Sequence, residues 1–486
     1  MEIAPFSAFR YDSMRVSIGD VVTQPYDKIS PEMQARYYQA SPFNLVRIIL
    51  GNPDVEQPDV YQAAAAHFAS WREQGILRAD PEPSLYAYSQ RFMVSGTGEE
   101  TERRGFIALG RIHDYSEGVV FRHERTLAKP KQDRLNLLRA TRAQFEQLFM
   151  VYSDPRGEVD GLLQTTAPPD IDVRDEYNVQ HRMWRISSRE TIRRVAALMA
   201  DKKTIIADGH HRYETAQDYR DERAAAARGK GDAPYDYVVM TFVNMDAPGL
   251  VILPTHRVVS GLSGFDKDLF LRSAFPYFGV EQAATTDPAG LVALLQHAGQ
   301  QGTAFVAVIG HEAFLLRARS GAADAVLAAV SARQRQLDLV HLHKVLLEHV
   351  MGISEEAIRQ QQNIKYVREA GDAIRQAQAG ANVAFLVNPV RIDQVRDIAF
   401  AGEVLPQKST DFYPKSRVSP EPRVDFRSLF SRLATQGSGL FSRMFESWGE
   451  VPAALVRQMD WRNSLDGCIG LEDYTHAPFS TTGVVR

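Results

Sequence analysis

The sequence predicts an α+β fold of mixed, largely antiparallel sheets with flanking helices. Residues 85–94 and 104–112 are strand-like runs joined through Ser95-Gly96-Thr97-Gly98, a connection that suits antiparallel neighbours. Apolar positions at helical spacing, as at Ala64, Phe68 and Trp71, alternate with further short strand-like runs. The 486 residues exceed what one ordinary core takes up, so two to three units are expected.

In chain order, Ser30-Pro31-Glu32 reads as a helix start, with Ser30 as N-cap and proline at the first helical position. Residues 45–50 are a short apolar run consistent with a buried strand, and residues 61–77 form an alanine-rich helix. A basic helical block follows at about 134–148. Residues 183–186 read as a strand, and Ser187 with Glu190 as the capping box of a helix through Met199. Residues 203–207 are a strand that Asp208-Gly209 turns into a helix from His210. Residues 237–245 and 250–259 suggest a second strand pair around Asp246-Ala247-Pro248-Gly249. The turn-rich stretch 261–266 suggests a boundary, with alternating helices and strands beyond it to residue 417. Pro420 and Pro422 mark a linker. The expected organisation is therefore 1–262, 263–417 and an extension at 418–486.

Composition excludes several classes. Apolar residues at 44% and charged residues at 24% are globular proportions, so neither disorder nor collagen is indicated. The net charge of −4 provides no global attraction to nucleic acid or anionic membrane. Cys468 is the single cysteine, which excludes an internal disulfide or a multi-thiolate zinc site. No apolar run approaches the ~20 residues of a membrane span, and the first residues lack a secretory pattern. The expectation is a cytoplasmic protein.

The most informative stretch is Ile206-Ala207-Asp208-Gly209-His210-His211-Arg212-Tyr213-Glu214. A strand ending in a glycine turn at a helix start aims unpaired amides outward, an arrangement that attracts anions. Arg212 offers an always-charged planar fork, and His210 and His211 can donate to phosphate or relay protons. The plainer alternative is that Asp208 caps the helix and the histidines lie in solvent. Adjacent histidines lack the i,i+4 spacing of a zinc helix, which leaves only a zinc site assembled from scattered histidines. A second cluster, residues 122–142, holds seven basic residues (Arg122, Arg125, Lys129, Lys131, Arg134, Arg139, Arg142) against Glu124 and Asp133. It is either a solvated helix face or a grip for a compact polyanion such as a triphosphate; it has no aromatic residue for base stacking. Gln407-Lys408-Ser409-Thr410 reads, alone, as a loop with surface lysines. Asp27, in Gln24-Pro25-Tyr26-Asp27, reads as a turn aspartate. The phosphate loop G-x-x-x-x-G-K-[ST], the dinucleotide fingerprint G-x-G-x-x-G and the G-x-S-x-G elbow are all absent.

Taken together, Gln24–Asp27, Arg122–Arg142, Ile206–Glu214, Gly249–Arg257 and Gln407–Lys415 resemble the bacterial and archaeal domain-of-unknown-function family ten-fifteen, over about residues 1–417. The Asp208–Arg212 segment also resembles the phosphate-binding turn of the ParB/sulfiredoxin-like fold, which includes kinases of free L-serine. What the resemblance implies is a nucleotide-dependent kinase of free L-serine, with ATP or ADP as donor and Mg2+ as cofactor. Gly209, Arg212, Arg122, Lys129, Lys131 and Arg134 would bind phosphate, and Asp27, Glu124, Asp208, His210 and His211 are the catalytic candidates. The expected partners are a nucleotide and a small-molecule substrate. The rival is a non-catalytic, nucleotide-responsive or nucleic-acid-binding protein of ParB-like fold. The acidic balance and the lack of a helix-turn-helix pattern count against it.

Overall fold

The computed structural model describes residues 1–56, 59–94, 98–124, 129–226, 233–414 and 424–425, without the side chains of 129, 130, 424 and 425. The connection at 95–97 and nearly all of the expected extension lie outside the described residues.

Two sheets dominate. The first is built from β1 (Ile3–Ala4), β2 (Leu85–Met93), β3 (Glu100–Arg111), β4 (Val120–Phe121), β5 (Leu148–Tyr152), β6 (Ile171–Arg174), β7 (Gln180–Ile186), β8 (Thr204–Asp208) and β9 (Tyr237–Asn244). Its order is β4-β8-β5-β9-β3-β2-β7-β6, with β1 on β3. Among these pairings only β8 with β4 and β9 with β5 are parallel. The short ribbon β10 (Val251–Leu253) follows. The second sheet holds β11 (His256–Val259), β12 (Phe278–Gln282), β13 (Ala304–Ile309), β14 (Glu312–Ala318), β15 (Ile364–Val367) and β16 (Val383–Val387), in the order β12-β14-β13-β16-β11-β15 and antiparallel throughout. β17 (Asp411–Tyr413) returns to pair with β10. The expected α+β class with largely antiparallel sheets is the observed one.

Helices cover these sheets: α1 (Pro31–Ala40), α2 (Val46–Ile49), α3 (Val60–Glu73), α4 (Lys129–Thr141), α5 (Arg189–Met199) and α6 (His210–Ala226) on the first half. Ser30 caps α1 as expected, its Oγ accepting from the Met33 N–H at 3.2 Å. Along β5 every residue is buried, because a central strand is covered on both faces. Leu148, Met150 and Tyr152 face α5 and α6, in one core with Val195, Met199 and Tyr213. Phe149 and Val151 point the other way, into a core shared with Val259, Phe305 and Phe385 of the second sheet. Period-two alternation on one strand thus joins the two sheets.

Four expectations need correction. Residues 45–50 contain the helix α2, not a strand: the Asn44 side chain accepts from the Val46 N–H at 3.0 Å, and the Ile49 N–H donates to the Leu45 carbonyl. A short, mainly apolar run such as this, with Arg47 within it, fits a buried helix as well as a strand. The helix cap before α5 is Ser188, whose Oγ accepts from the Thr191 N–H, not Ser187. β7 keeps Ile186 paired with Leu85, so Ser187 serves as the connection. The basic helix is α4, ending at Thr141, while Leu148 already belongs to β5. Finally, β9 does not pair with the strands after it. Its two edges are taken by β3 and β5, so the chain leaves the sheet and β10 and β11 find other partners.

Candidate functional site

The site forms where β8 ends. A register shift between Ile206 and Asp208 marks a bulge that re-aims Asp208 before Gly209. Gly209 has φ +97, and a Cβ there would lie 2.9 Å from Leu148 Cδ2 and 3.1 Å from the Arg212 guanidinium, so only glycine fits. α6 then starts at His210, with its amide end directed out of the sheet.

Arg212 closes the turn. Its Nη2 donates to Asp208 Oδ2 at 2.7 Å and its Nη1 to the Gln147 carbonyl at 2.6 Å. Burial works against its charge, but Glu146, Asp208 and Asp27 together raise its pKa above the ordinary value. The fork therefore ties the first turn of α6 to the entry of β5 and sits among acids. Glu146 also pairs with Arg134 at 3.3 Å and accepts from the Tyr26 N–H at 3.3 Å. Arg134 is only 7% exposed; it binds Asp133 at 2.5 Å and lies 4.0 Å above the Tyr26 ring. Burial and then Glu146 push the Tyr26 hydroxyl up to about 12. This chain of contacts holds the exposed Asp27 beside the turn, near enough that its field acts on both His211 and Arg212.

On the opposite side, the His123 and His210 rings meet edge to face at 4.7 Å. His123 Nδ1–H donates to the Ile206 carbonyl at 2.7 Å, and its Nε2 meets Thr410 Oγ1 at 2.6 Å. Glu124 Oε1 accepts from the Ser409 N–H at 3.1 Å. The exposed Lys408, with φ +56, projects charge toward His211. His211 is pulled below its usual pKa by burial first, with Lys408 and Arg212 adding to the effect and Glu214 and Asp27 opposing it.

Of the expected site residues, Asp27, Glu124, Asp208, Gly209, His210, His211 and Arg212 are thus gathered around one turn. The basic block is largely paired with acids instead of forming an open grip. Lys131 binds Glu214 at 3.4 Å and Asp218 at 3.0 Å, zipping α4 to α6. Arg122 lies 4.0 Å from Glu214 and over the Tyr115 ring. The side chain of Lys129 lies outside the described residues. Sequence reasoning missed Glu146, Gln147 and the 407–410 loop as parts of the site. The loop's Ser-Thr pair between lysines was the available signal; Glu146 carried none, since its role depends on contacts with Tyr26 and Arg134.

Two buried arginines, one from each sheet, hold the returning segment 407–414. Arg103 donates to the carbonyls of Tyr413 and Pro414 at 3.3 and 2.5 Å, and Arg257 to those of Gln407 and Lys408 at 3.3 and 3.0 Å. Burial lowers both guanidinium pKa values to about 10.

The sequence profile of one family, described as protein of unknown function, matches residues 3–340. The chain belongs to the DUF1015 family. The matched span includes the whole turn, α4 and Arg257, while the 407–410 loop lies beyond it. No curated protein matches the chain. Among solved structures, a free serine kinase in complex with AMP is 13% identical, with 64% of this chain and 90% of that chain covered and a TM-score of 0.30. A C-terminally truncated SbnI from Staphylococcus aureus is 10% identical, covering 70% and 93%, with a TM-score of 0.35. A conserved hypothetical protein from Pyrococcus furiosus is 12% identical, covering 64% and 94%, with a TM-score of 0.30. Likenesses this slight carry nothing about what this DUF1015 chain does. Among the described residues, no helix is long and apolar enough to cross a membrane.

Proposed function

We propose that this chain is a small-molecule phosphotransferase, a nucleotide-dependent kinase of free L-serine that uses ATP or ADP with Mg2+. The observation that carries the reading is the glycine turn at the start of α6, set among three carboxylates, Asp27, Glu124 and Asp208, with Arg212 and Lys408 beside it. Phosphoryl transfer needs these parts: fixed N–H donors for phosphate oxygens, positive charge, and a carboxylate near the acceptor hydroxyl. Amides from Gly209 to His211 would hold the phosphates. Arg212 would act by positioning, since Asp208 and the Gln147 carbonyl already engage its fork. The exposed Asp27 would take the acceptor's proton as its oxygen bonds to the terminal phosphorus and the bond to the leaving oxygen breaks. A half-buried, neutral His211 would donate to phosphate without repelling a cation.

The donor set fits Mg2+, which is commonly held by one or two carboxylates and substrate phosphates. Asp208 would hold it together with the substrate phosphates, and bound there it would neutralise charge developing on the phosphoryl oxygens. Lys131, Arg134 and Arg139 are engaged by carboxylates, which weakens the rival nucleic-acid reading.

The deciding experiment incubates the purified chain with a nucleotide panel, free amino acids and Mg2+, and assays for phosphorylated product. O-phosphoserine formed with ATP or ADP is the expected result, accompanied by a nucleotide-dependent rise in melting temperature. No product, together with a flat thermal profile at millimolar nucleotide, would remove the proposal.

A further inference from the structure

A second polar group meets the 407–410 loop from β11. Arg257 of β11 is fully buried. Its Nη groups donate to the carbonyls of Thr255, Gln407 and Lys408, and its guanidinium lies 5.3 Å from the Tyr366 ring centroid. Glu124 acts on its charge only through space. Arg257 Nε, Tyr366 Oη, His343 Nε2 and Gln407 Oε1 are all buried without a hydrogen-bond partner. Folded proteins keep few such atoms, and three beside a buried cation whose own Nε is the fourth point to a ligand that would pair them. His343 stands on a ten-residue π-helix, His341–Val350, a backbone form that concentrates at functional sites. Burial, then the charge of Arg257, keeps its ring neutral.

The chemistry of these atoms is two-sided. Arg257 Nε–H and the Tyr366 hydroxyl can donate to a carboxylate. Gln407 Oε1 can accept from an ammonium, which the Glu124 carboxylate, close enough to act on Arg257, would also favour. We propose that Arg257, Tyr366 and Gln407 hold the carboxylate and ammonium of a free α-amino acid, the acceptor of the transferred phosphate. The assignment rests on the phosphotransferase reading only for the ligand's hydroxyl, which would face the turn past the one loop that borders both places. The Lys408 carbonyl accepts from Arg257 while its side-chain charge reaches His211.

Calorimetric titration of the full chain without nucleotide tests this, using L-serine, ethanolamine (no carboxylate), 3-hydroxypropionate (no ammonium) and inorganic phosphate. L-Serine is expected to bind at least about tenfold more tightly than the other three, the effect of one charge-assisted hydrogen bond. Tyr366→Phe removes only a hydroxyl that has no partner. It should weaken L-serine binding about tenfold while leaving the melting temperature unchanged or raised, and ADP binding unchanged. Gln407→Met keeps the side chain's shape, loses the amide, and gives the same readout on the ammonium side. The proposal is overturned by any of three results: no binding of L-serine to the unmodified chain, phosphate binding as tightly as L-serine, or Tyr366→Phe lowering the melting temperature with serine affinity intact. That last pattern is what an ordered structural water would produce. ADP titrated into the same samples separates this subsite from its parent reading. Serine binding without nucleotide binding keeps the subsite and removes phosphotransfer; nucleotide binding without serine binding does the reverse.

Discussion

At the scale of single residues, the turn works because each side chain answers to a partner from elsewhere in the chain. Arg212 bridges Asp208 and the Gln147 carbonyl with two arms of one planar group. A lysine has a single ammonium on a flexible stem and cannot reproduce that fork. Arg212→Lys should therefore lower stability by about 1–3 kcal/mol, the cost of leaving one partly buried acceptor unpaired. A drop in the urea midpoint at constant slope would register it, and an unchanged midpoint would mean that the ammonium serves both acceptors. His256 allows a pH prediction. Burial, then the charge of Arg257, pulls it from 6.5 to about 4, and its Nδ1 accepts from the Val387 N–H at 3.2 Å. The folded state thus stays neutral where the unfolded state takes up a proton, so stability is full above about pH 6.5 and falls as pH drops toward 4. The loss attributable to this ring is roughly 3 kcal/mol. His256→Gln, which cannot titrate, should flatten that acid limb by a comparable amount. An acid limb as steep as the wild type's would assign it to other groups.

Elements explain why the site sits where it does. α6 can start at His210 only because the bulge and Gly209 turn the backbone at the end of β8. α4 then lies against α6 through Lys131 with Glu214 and Asp218, and through Arg139 with Glu222. These pairs are partly exposed, so packing, not charge, carries most of the contact. The start of α5 offers a clean test of which serine ends the strand and which begins the helix. Ser188→Ala should cost about 1 kcal/mol, because the Thr191 N–H loses its acceptor. Ser187→Ala should cost less than about 0.5 kcal/mol. Equal costs in chemical denaturation would show that the capping is shared.

Across the whole molecule, the two sheets share one apolar core. Phe149, Val151, Ile205 and Ala207 of the first pack in the same cluster as Val259, Phe305 and Phe385 of the second. Arg103 and Arg257 grip one returning segment from both sides, and β17 pairs with β10 at the crossing. Opening one sheet would expose half of that core and strand a buried guanidinium. We therefore expect the sheets to unfold as one cooperative unit. Native-state hydrogen exchange should give the amides of Val243 in β9 and Phe385 in β16 the same global opening free energy. Separate values differing by more than about 1 kcal/mol would indicate that the chain divides between the sheets, as the turn-rich stretch at 261–266 suggests.

What the sequence determined by itself is local. Ser30-Pro31 specified a helix start, two strand-like runs around one short turn-forming connection specified the antiparallel strands β2 and β3, and Asp208-Gly209-His210 specified a strand, a turn and a helix, because each depends on neighbours within a few residues. The clustering of charge and imidazole at that turn was legible for the same reason. The tertiary structure decided what depends on burial and on distant partners. Within residues 45–50 a helix forms at Val46–Ile49, its first amide held by the Asn44 side chain, where a short apolar run without periodicity leaves helix and strand equally open. Arg134 and Lys131, which look alike as cations in the sequence, part company once Glu146 and Tyr26 bury one and α6 pairs with the other. The 407–410 loop looked like a surface segment until Arg257, some 150 residues earlier in the chain, met its carbonyls. Contacts across such separations leave no local pattern. They arise from the desolvation of charged groups, which must find a partner wherever the fold brings one.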